Sequence, residues 1–307
     1  MKFTTQPLIN IIQTISQELK TKDSVTFEVL NPSILHLYSG EEVEVEGARY
    51  IYRSYKNWID LSQQLYCKFE IVSLDKHFVA IRYTKLSNDS FHNQKVSNIT
   101  EKYGTNSKFA KIDKTNESGF LYYYIQALQN THIDKKQNIL NLGINKADEF
   151  QIIKELYPQS FANQNYTGID FSSTAISQAK ERFKDNSNVS FYTHDINDID
   201  TLSLGKFDML ISIGTLQSST INFKPFLMHL VQNYLTTDAS IILAFPNSRW
   251  IDTQLIYGAK APNYAMSEMS LVCNDIMFCK KYLQQKKYRV TITGKDYLFV
   301  CATKIGL

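Results

Sequence analysis

The 307-residue chain has room for one large domain and a small one. Hydrophobic residues make up 43% of it and charged residues 21%, globular proportions, while a formal net charge of +3 is too small to announce a nucleic-acid partner. No apolar run approaches the ~18 residues needed to cross a bilayer, and the start MKFTTQPLINIIQTISQELK is too polar for a signal peptide, so the expected location is the cytoplasm, with no membrane partner.

In chain order, the opening stretch reads as an amphipathic helix with Ile11, Ile12, Ile15 and Leu19 on one face. Strand-like runs follow at Val25–Leu30, Glu42–Glu46 and Phe78–Tyr83, and Trp58, Leu61 and Leu65 repeat at helical spacing between them. Residues 1–86 are thereby predicted to form a small α+β domain. Its ten Lys and Arg against ten Asp and Glu leave it formally neutral, which weighs against an RNA-binding appendage. Residues 87–118, rich in Ser, Asn, Thr and Lys, read as a polar linker, or a segment closing over a bound cofactor, ahead of a second domain over 119–307, in which Tyr122–Tyr124 enter as helix core.

Beyond residue 119 the pattern alternates. Strands are predicted at Asn138–Leu142, Tyr166–Ile169, Val189–Tyr192, Phe207–Ile213 and Ser240–Phe245. Helices are predicted at Asp148–Leu156, Thr174–Phe183 and Phe223–Leu235, with Ser172 or Ser173 placed to cap the second. Such alternation gives a parallel sheet covered on both faces. The runs Tyr288–Thr293 and Tyr297–Thr303 are separated only by Gly294, Lys295 and Asp296, enough for a hairpin but not for a parallel crossover. The expected fold is α/β: a doubly wound, mostly parallel seven-stranded sheet with a terminal antiparallel hairpin. The four cysteines, Cys67, Cys273, Cys279 and Cys301, form no CxxC pair and read as buried free thiols.

Five stretches in order, ILNLGINKADEF, YTGIDFSSTAISQAKERF, VSFYTHDIND, FDMLISIGTLQSS and IILAFPNSRW, resemble class I S-adenosylmethionine-dependent methyltransferases over a little more than half the chain. The resemblance implies S-adenosylmethionine as cofactor. Gly143 then lets the backbone approach the ligand at a strand end. The family's acidic residue two positions earlier is Asn141 here, and its later glycines are Asn145 and Ala147; Asp148 or Glu149 can supply the missing charge or simply suit the first turn of a helix. Asp170, followed by Phe171, is implied at the ribose hydroxyls, because a carboxylate offers two oxygens to a vicinal diol. Asp195 is implied at the adenine amino group, with Ile196 packing on the ring or donating its amide.

By the same resemblance Gly214, Thr215 and Gln217 lie near the transferred methyl group. Arg249 suits an anionic acceptor, since its planar fork matches carboxylate or phosphate. The long segment after it brings Tyr257, Lys260 and Tyr264 as pocket residues or as a packed lid, and Tyr103 and Lys111 are candidate contacts ahead of the first strand. No metal-ligand or cysteine-based pattern is present, and methyl transfer needs little beyond alignment and desolvation. The implied activity is transfer to an N or O atom of a small molecule. An RNA or protein acceptor recognised by the N-terminal domain, or a cofactor-binding protein without turnover, remain open, as does the oligomeric state.

Overall fold

The computed structural model describes residues 1–34, 36–87, 99–258 and 268–306. They divide into two compact units, one of residues 1–90 with 250–257, the other of residues 91–249 with 258–307.

In the first unit α1 (Leu8–Thr21) buries Ile11, Ile15 and Leu19, whereas Ile12 lies at the rim of that face and is exposed. The strands are β1 (Ser24–Leu30), β2 (Glu42–Val45), β3 (Ala48–Ile51), β4 (Cys67–Leu74) and β5 (Phe78–Lys85), with α2 (Tyr55–Gln64) between β3 and β4. Strands β1, β5 and β4 form an antiparallel sheet with β5 central, and β2 and β3 form a hairpin. The Ser54 side chain caps α2 by accepting from the Asn57 amide. Trp58, Phe27 and Tyr83 fill the core, where the Tyr83 hydroxyl donates to the Trp58 carbonyl at 2.5 Å. Strand β4, at the edge of that sheet, alternates Cys67, Phe69 and Ile71 with Lys68 and Glu70, and its outer half is exposed.

The second unit begins its regular structure with α3 (Ser118–Asn130) and continues β6 (Asn138–Leu142), α4 (Asp148–Leu156), α5 (Pro158–Asn163), β7 (Asn165–Asp170), α6 (Ser173–Arg182) and β8 (Val189–Thr193). Then come β9 (Phe207–Ile213), α7 (Phe223–Asn233), β10 (Leu235–Pro246), α8 (Ser270–Gln285), β13 (Tyr288–Gly294) and β14 (Tyr297–Lys304); between β10 and α8 in sequence runs the ribbon of β11 (Ser248–Ile251) and β12 (Gln254–Tyr257), whose residues 250–257 belong to the first unit. The sheet order is β13-β14-β10-β9-β6-β7-β8, with β6 to β10 parallel and β14 antiparallel to both its neighbours. This is the expected doubly wound seven-stranded sheet, and the last strand is the one inserted beside β10. The order reverses between β6 and β9, so the switch point lies at their carboxyl ends.

Several expectations need correcting. The helix predicted to run to Leu235 ends at Asn233, and Leu235 already pairs with Phe207 in the sheet. The stretch after Arg249, read as loop, folds first into the β11–β12 ribbon, and α8 follows it. Tyr122 is exposed while Tyr124 is fully buried, so the tyrosine run straddles the edge of α3 rather than filling its core. Cys273 is exposed on α8. Lys260 and Tyr264 lie outside the described residues. Among the described residues no helix is long and apolar enough to cross a membrane.

Gly294 closes the hairpin at φ +125°, and a Cβ there would fall 1.9 Å from the Tyr297 carbonyl oxygen. Gly294→Ala therefore forces the turn open and is expected to lower the melting temperature by more than about 4 °C, the scale of 1–2 kcal/mol in a domain this size. Thermal denaturation followed by circular dichroism checks this; an unchanged midpoint would contradict the geometry.

Candidate functional site

The candidate residues gather where β6, β7 and β9 end. At the end of β6 the Gly143 and Ile144 amides both donate to the Ile169 carbonyl of β7, at 2.8 and 3.1 Å. Gly143 has φ +74°, and a Cβ built on it would lie 1.9 Å from Thr215 Oγ1 and 2.6 Å from Thr215 Cβ. The loop after β6 and the loop after β9 thus touch at a point where only a glycine fits. Asn145 and Ala147, standing where the family carries further glycines, are left-handed as well, with φ 49° and 65°. The backbone path of a glycine loop is kept without the glycines. Asn visits this region readily, while Ala pays about 1–2 kcal/mol.

Asn141 is wholly buried in β6, beside Gly168 of β7 and Ile211 of β9, and neither atom of its amide has a hydrogen-bond partner. A buried amide left this way normally awaits water or a ligand. Asp148 and Glu149 open α4. Asp148 is held by Arg182 at 2.7 Å and Lys146 at 3.7 Å. Glu149 is fully buried and paired with Lys114, its second oxygen unpartnered. Burial raises the Glu149 pKa against the pull of Lys114. The raised Lys114 pKa points to a retained ion pair instead. We favour the ion pair, since the two side chains are in direct contact.

Asp170 ends β7, 7% exposed. One carboxylate oxygen accepts from the Ser172 amide and the other from the Asn145 amide, each at 2.9 Å. Burial raises its pKa, partly opposed by those amide bonds. Each oxygen keeps a further lone pair for a donor. Phe171 beside it is partly exposed at 38%. The His194 amide donates to the Asp170 carbonyl at 2.9 Å, which ties the end of β8 to the same point. Asp195, exposed, accepts from the Asn197 amide at 2.9 Å and so caps the turn Ile196–Leu202. The Ile196 side chain lies in the hydrophobic core.

Gly214, at φ +70°, ends β9 with its amide on the Ala244 carbonyl at 2.8 Å, and faces Pro246 and Tyr297. Gln217 is half-buried with its side-chain oxygen unpartnered. Arg249 lies on β11 and is half-buried. Lys111 is exposed, and Tyr103 contributes its carbonyl, which accepts from the Asn145 side chain at 2.9 Å. Burial pushes the Cys67 thiol up to about 11 and those of Cys279 and Cys301 up to about 12, so none of the three is a ready nucleophile.

The sequence reading missed Glu101. Its carboxylate accepts from the Ser172 hydroxyl and the Ser173 amide, each at 3.0 Å, from the Ser173 hydroxyl at 3.3 Å, and from the Thr174 hydroxyl. No local pattern signals this, because the partners lie more than seventy residues away.

A family model described as "Methyltransferase domain" matches residues 133–294, just over half of the chain. No protein of curated function matches it. Among solved structures it is similar to the plantazolicin methyltransferase BpumL in complex with a monoazolic desmethylPZN analog and SAH, at 20% identity and TM-score 0.36, covering 48% of this chain and 57% of that one. It is similar to a SAM dependent methyltransferase from Aquifex aeolicus at 14% identity and TM-score 0.45, covering 64% and 97%. It is also similar to magnesium protoporphyrin IX methyltransferase from Synechocystis PCC 6803 with bound SAM, at 14% and 0.40, covering 70% and 88%. The chain thus spans little more than half the length of the first of these.

Gly143→Ala introduces both a left-handed alanine and a collision with Thr215. It is expected to cost about 2–4 kcal/mol in stability. Adding Thr215→Gly removes the collision but not the φ penalty, so chemical denaturation should show partial recovery; full recovery would mean the positive φ is not needed.

Proposed function

The chain belongs to the methyltransferase-domain family, and on that premise we propose that it moves the methyl group of S-adenosylmethionine to a nitrogen or oxygen of a small molecule. The observation that carries the reading is the convergence at the switch point: Gly143 in a left-handed turn packed on Thr215, Asn141 with an unpartnered amide behind it, and Asp170 with spare lone pairs beside it. These features fit the donor. The backbone at Gly143 accommodates its methionyl part, and the Asn141 amide offers a neutral hydrogen-bond partner where the family has an acid. Asp148 is already balanced by Arg182 and Lys146 and contributes shape and loop position.

Asp170 accepts from the ribose hydroxyls. Phe171 and the Ile196 backbone border the adenine, and Asp195 takes its amino group. When bound, S-adenosylmethionine supplies an electrophilic methyl group on a sulfonium. The side chains of Thr215 and Gln217 and the Gly214 backbone align the acceptor, and Arg249 takes an anionic group on it. The work left to the protein is orientation and exclusion of water. The balanced charge of residues 1–86 supports a small acceptor over a polyanion, and the three buried, raised thiols support an N or O nucleophile brought by the substrate.

Calorimetric titration with S-adenosylhomocysteine tests the donor. Micromolar to sub-millimolar binding is expected; no binding at millimolar ligand, with NAD binding in its place, would overturn the reading. A diol binds the ionised carboxylate. Asp170's pKa lies above the ordinary aspartate value of about 3.9, so acidification protonates it sooner than an exposed aspartate. Affinity should therefore fall as pH drops through that raised value, whereas Asp170→Asn binds at least about tenfold more weakly with a flat profile over the same range.

A further inference from the structure

Residues 99–111 lead into α3 through two short helical turns, Ile99–Glu101 and Phe109–Lys111. Within this stretch residues 101–105 reach both sides of Asp170. On one side Glu101 takes the hydroxyls of Ser172, Ser173 and Thr174 and the Ser173 amide, and the Thr105 amide donates to the Thr174 hydroxyl at 3.1 Å. On the other side the Asn145 side chain donates to the Tyr103 carbonyl at 2.9 Å. Gly104 sits so close beneath that a Cβ on it would fall 2.0 Å from Glu101 Oε2 and 2.6 Å from Thr174 Oγ1.

Part of this serves helix α6 itself, since Glu101 meets the Ser173 amide, one of the first-turn amides that have no partner within a helix. Ser172 already caps it, its hydroxyl accepting from the Ala175 amide at 3.2 Å. What Glu101 adds is a connection. Ser172, which holds one Asp170 oxygen through its amide, gives its hydroxyl to Glu101; Asn145, which holds the other through its amide, gives its side chain to Tyr103. Both clamps on Asp170 are therefore backed by one five-residue stretch. Burial works against the Glu101 charge, but the hydrogen bonds from Thr174, Ser172 and Ser173 outweigh it and hold its pKa below the ordinary glutamate value.

We propose that Glu101 is a positioning residue for the methyl donor: seated on the start of α6, it holds residues 101–105 across the two loops that aim Asp170, so donor affinity depends on a side chain that acts only through Ser172 and its neighbours. The proposal rests on the donor reading given above.

The test uses the full chain with S-adenosylhomocysteine as probe. Glu101→Gln places an amide NH2 where an acceptor is required, and Thr174→Val removes the same connection from the α6 side with a near-isosteric change. Hydrogen exchange without ligand should speed up in peptides covering 99–111 and 170–176 for both variants. Calorimetry should show the dissociation constant rising about tenfold for Glu101→Gln, the scale of losing hydrogen bonds to a charged group. Glu101→Asp, which keeps the carboxylate one methylene shorter, should recover part of that affinity; a purely structural anchor would not distinguish the two variants in affinity once folded protein is matched. Wild-type binding together with equally tight binding by Glu101→Gln and Thr174→Val overturns the proposal alone. A wild-type chain that binds no S-adenosylhomocysteine overturns the donor reading and this proposal with it.

Discussion

The candidate site depends on the carboxyl end of β7. The Ile169 carbonyl receives the Gly143 and Ile144 amides, the Asp170 carbonyl receives that of His194, and the Asp170 side chain receives those of Asn145 and Ser172. The turns after β6, β7 and β8 are thus fixed to two consecutive residues. A carboxylate this deeply buried is unfavourable unless its oxygens are met by donors. The amides meet them, and in return each amide avoids the ~1–3 kcal/mol cost of burial without a partner. A residue suited to a vicinal diol is therefore also the residue that assembles the loops around it. On the proposed reading, binding and architecture are not separable at Asp170.

The loop after β6 shows how a motif can erode while its shape persists. Gly143 is irreplaceable on space, since the Thr215 side chain occupies the volume of its missing Cβ. The positions of Asn145 and Ala147 demand only a positive φ. Asn145 meets that demand at little cost and adds two hydrogen bonds, one to Asp170 and one to Tyr103. Ala147 is strained, but its methyl is buried against Phe150 and its neighbours in the core, which offsets part of the cost.

Much of this was legible in the sequence, and the exceptions have physical causes. Strands β6 and β9 were predicted to the residue because buried parallel strands are continuous apolar runs bounded by turn residues. A serine cap at 172 or 173 was legible because capping is local, and Ser172 fills it. Helix α8 was overlooked although Val272, Ile276, Cys279 and Leu283 recur at helical spacing, since lysine, asparagine and exposed apolar residues on its other face blur the stripe. Residues Gly143, Asn145, Asp170 and Thr215, expected together, do stand together. The roles of Glu101 and of Asp148 were not legible, because a carboxylate's partner is set by the tertiary fold: Glu101 meets α6 seventy residues on, and Asp148 meets Arg182.

The charge balance near β6 has a further consequence for the donor. A sulfonium ligand with an ammonium group favours negative potential, yet Asn141 is neutral and its amide unpartnered. The nearest acids on α4 are both engaged, Asp148 by Arg182 and Lys146, Glu149 by Lys114. The remaining carboxylates at the strand ends, Asp170, Glu101 and Asp195, lie toward β7 and β8, on the side suited to ribose and adenine. On the proposed reading, recognition of the donor is weighted to its nucleoside half, with the methionyl half held by backbone and by one amide rather than by an ion pair. Donor and product share both halves and differ only in the methyl group and the charge on sulfur, so such a site discriminates weakly between them on charge.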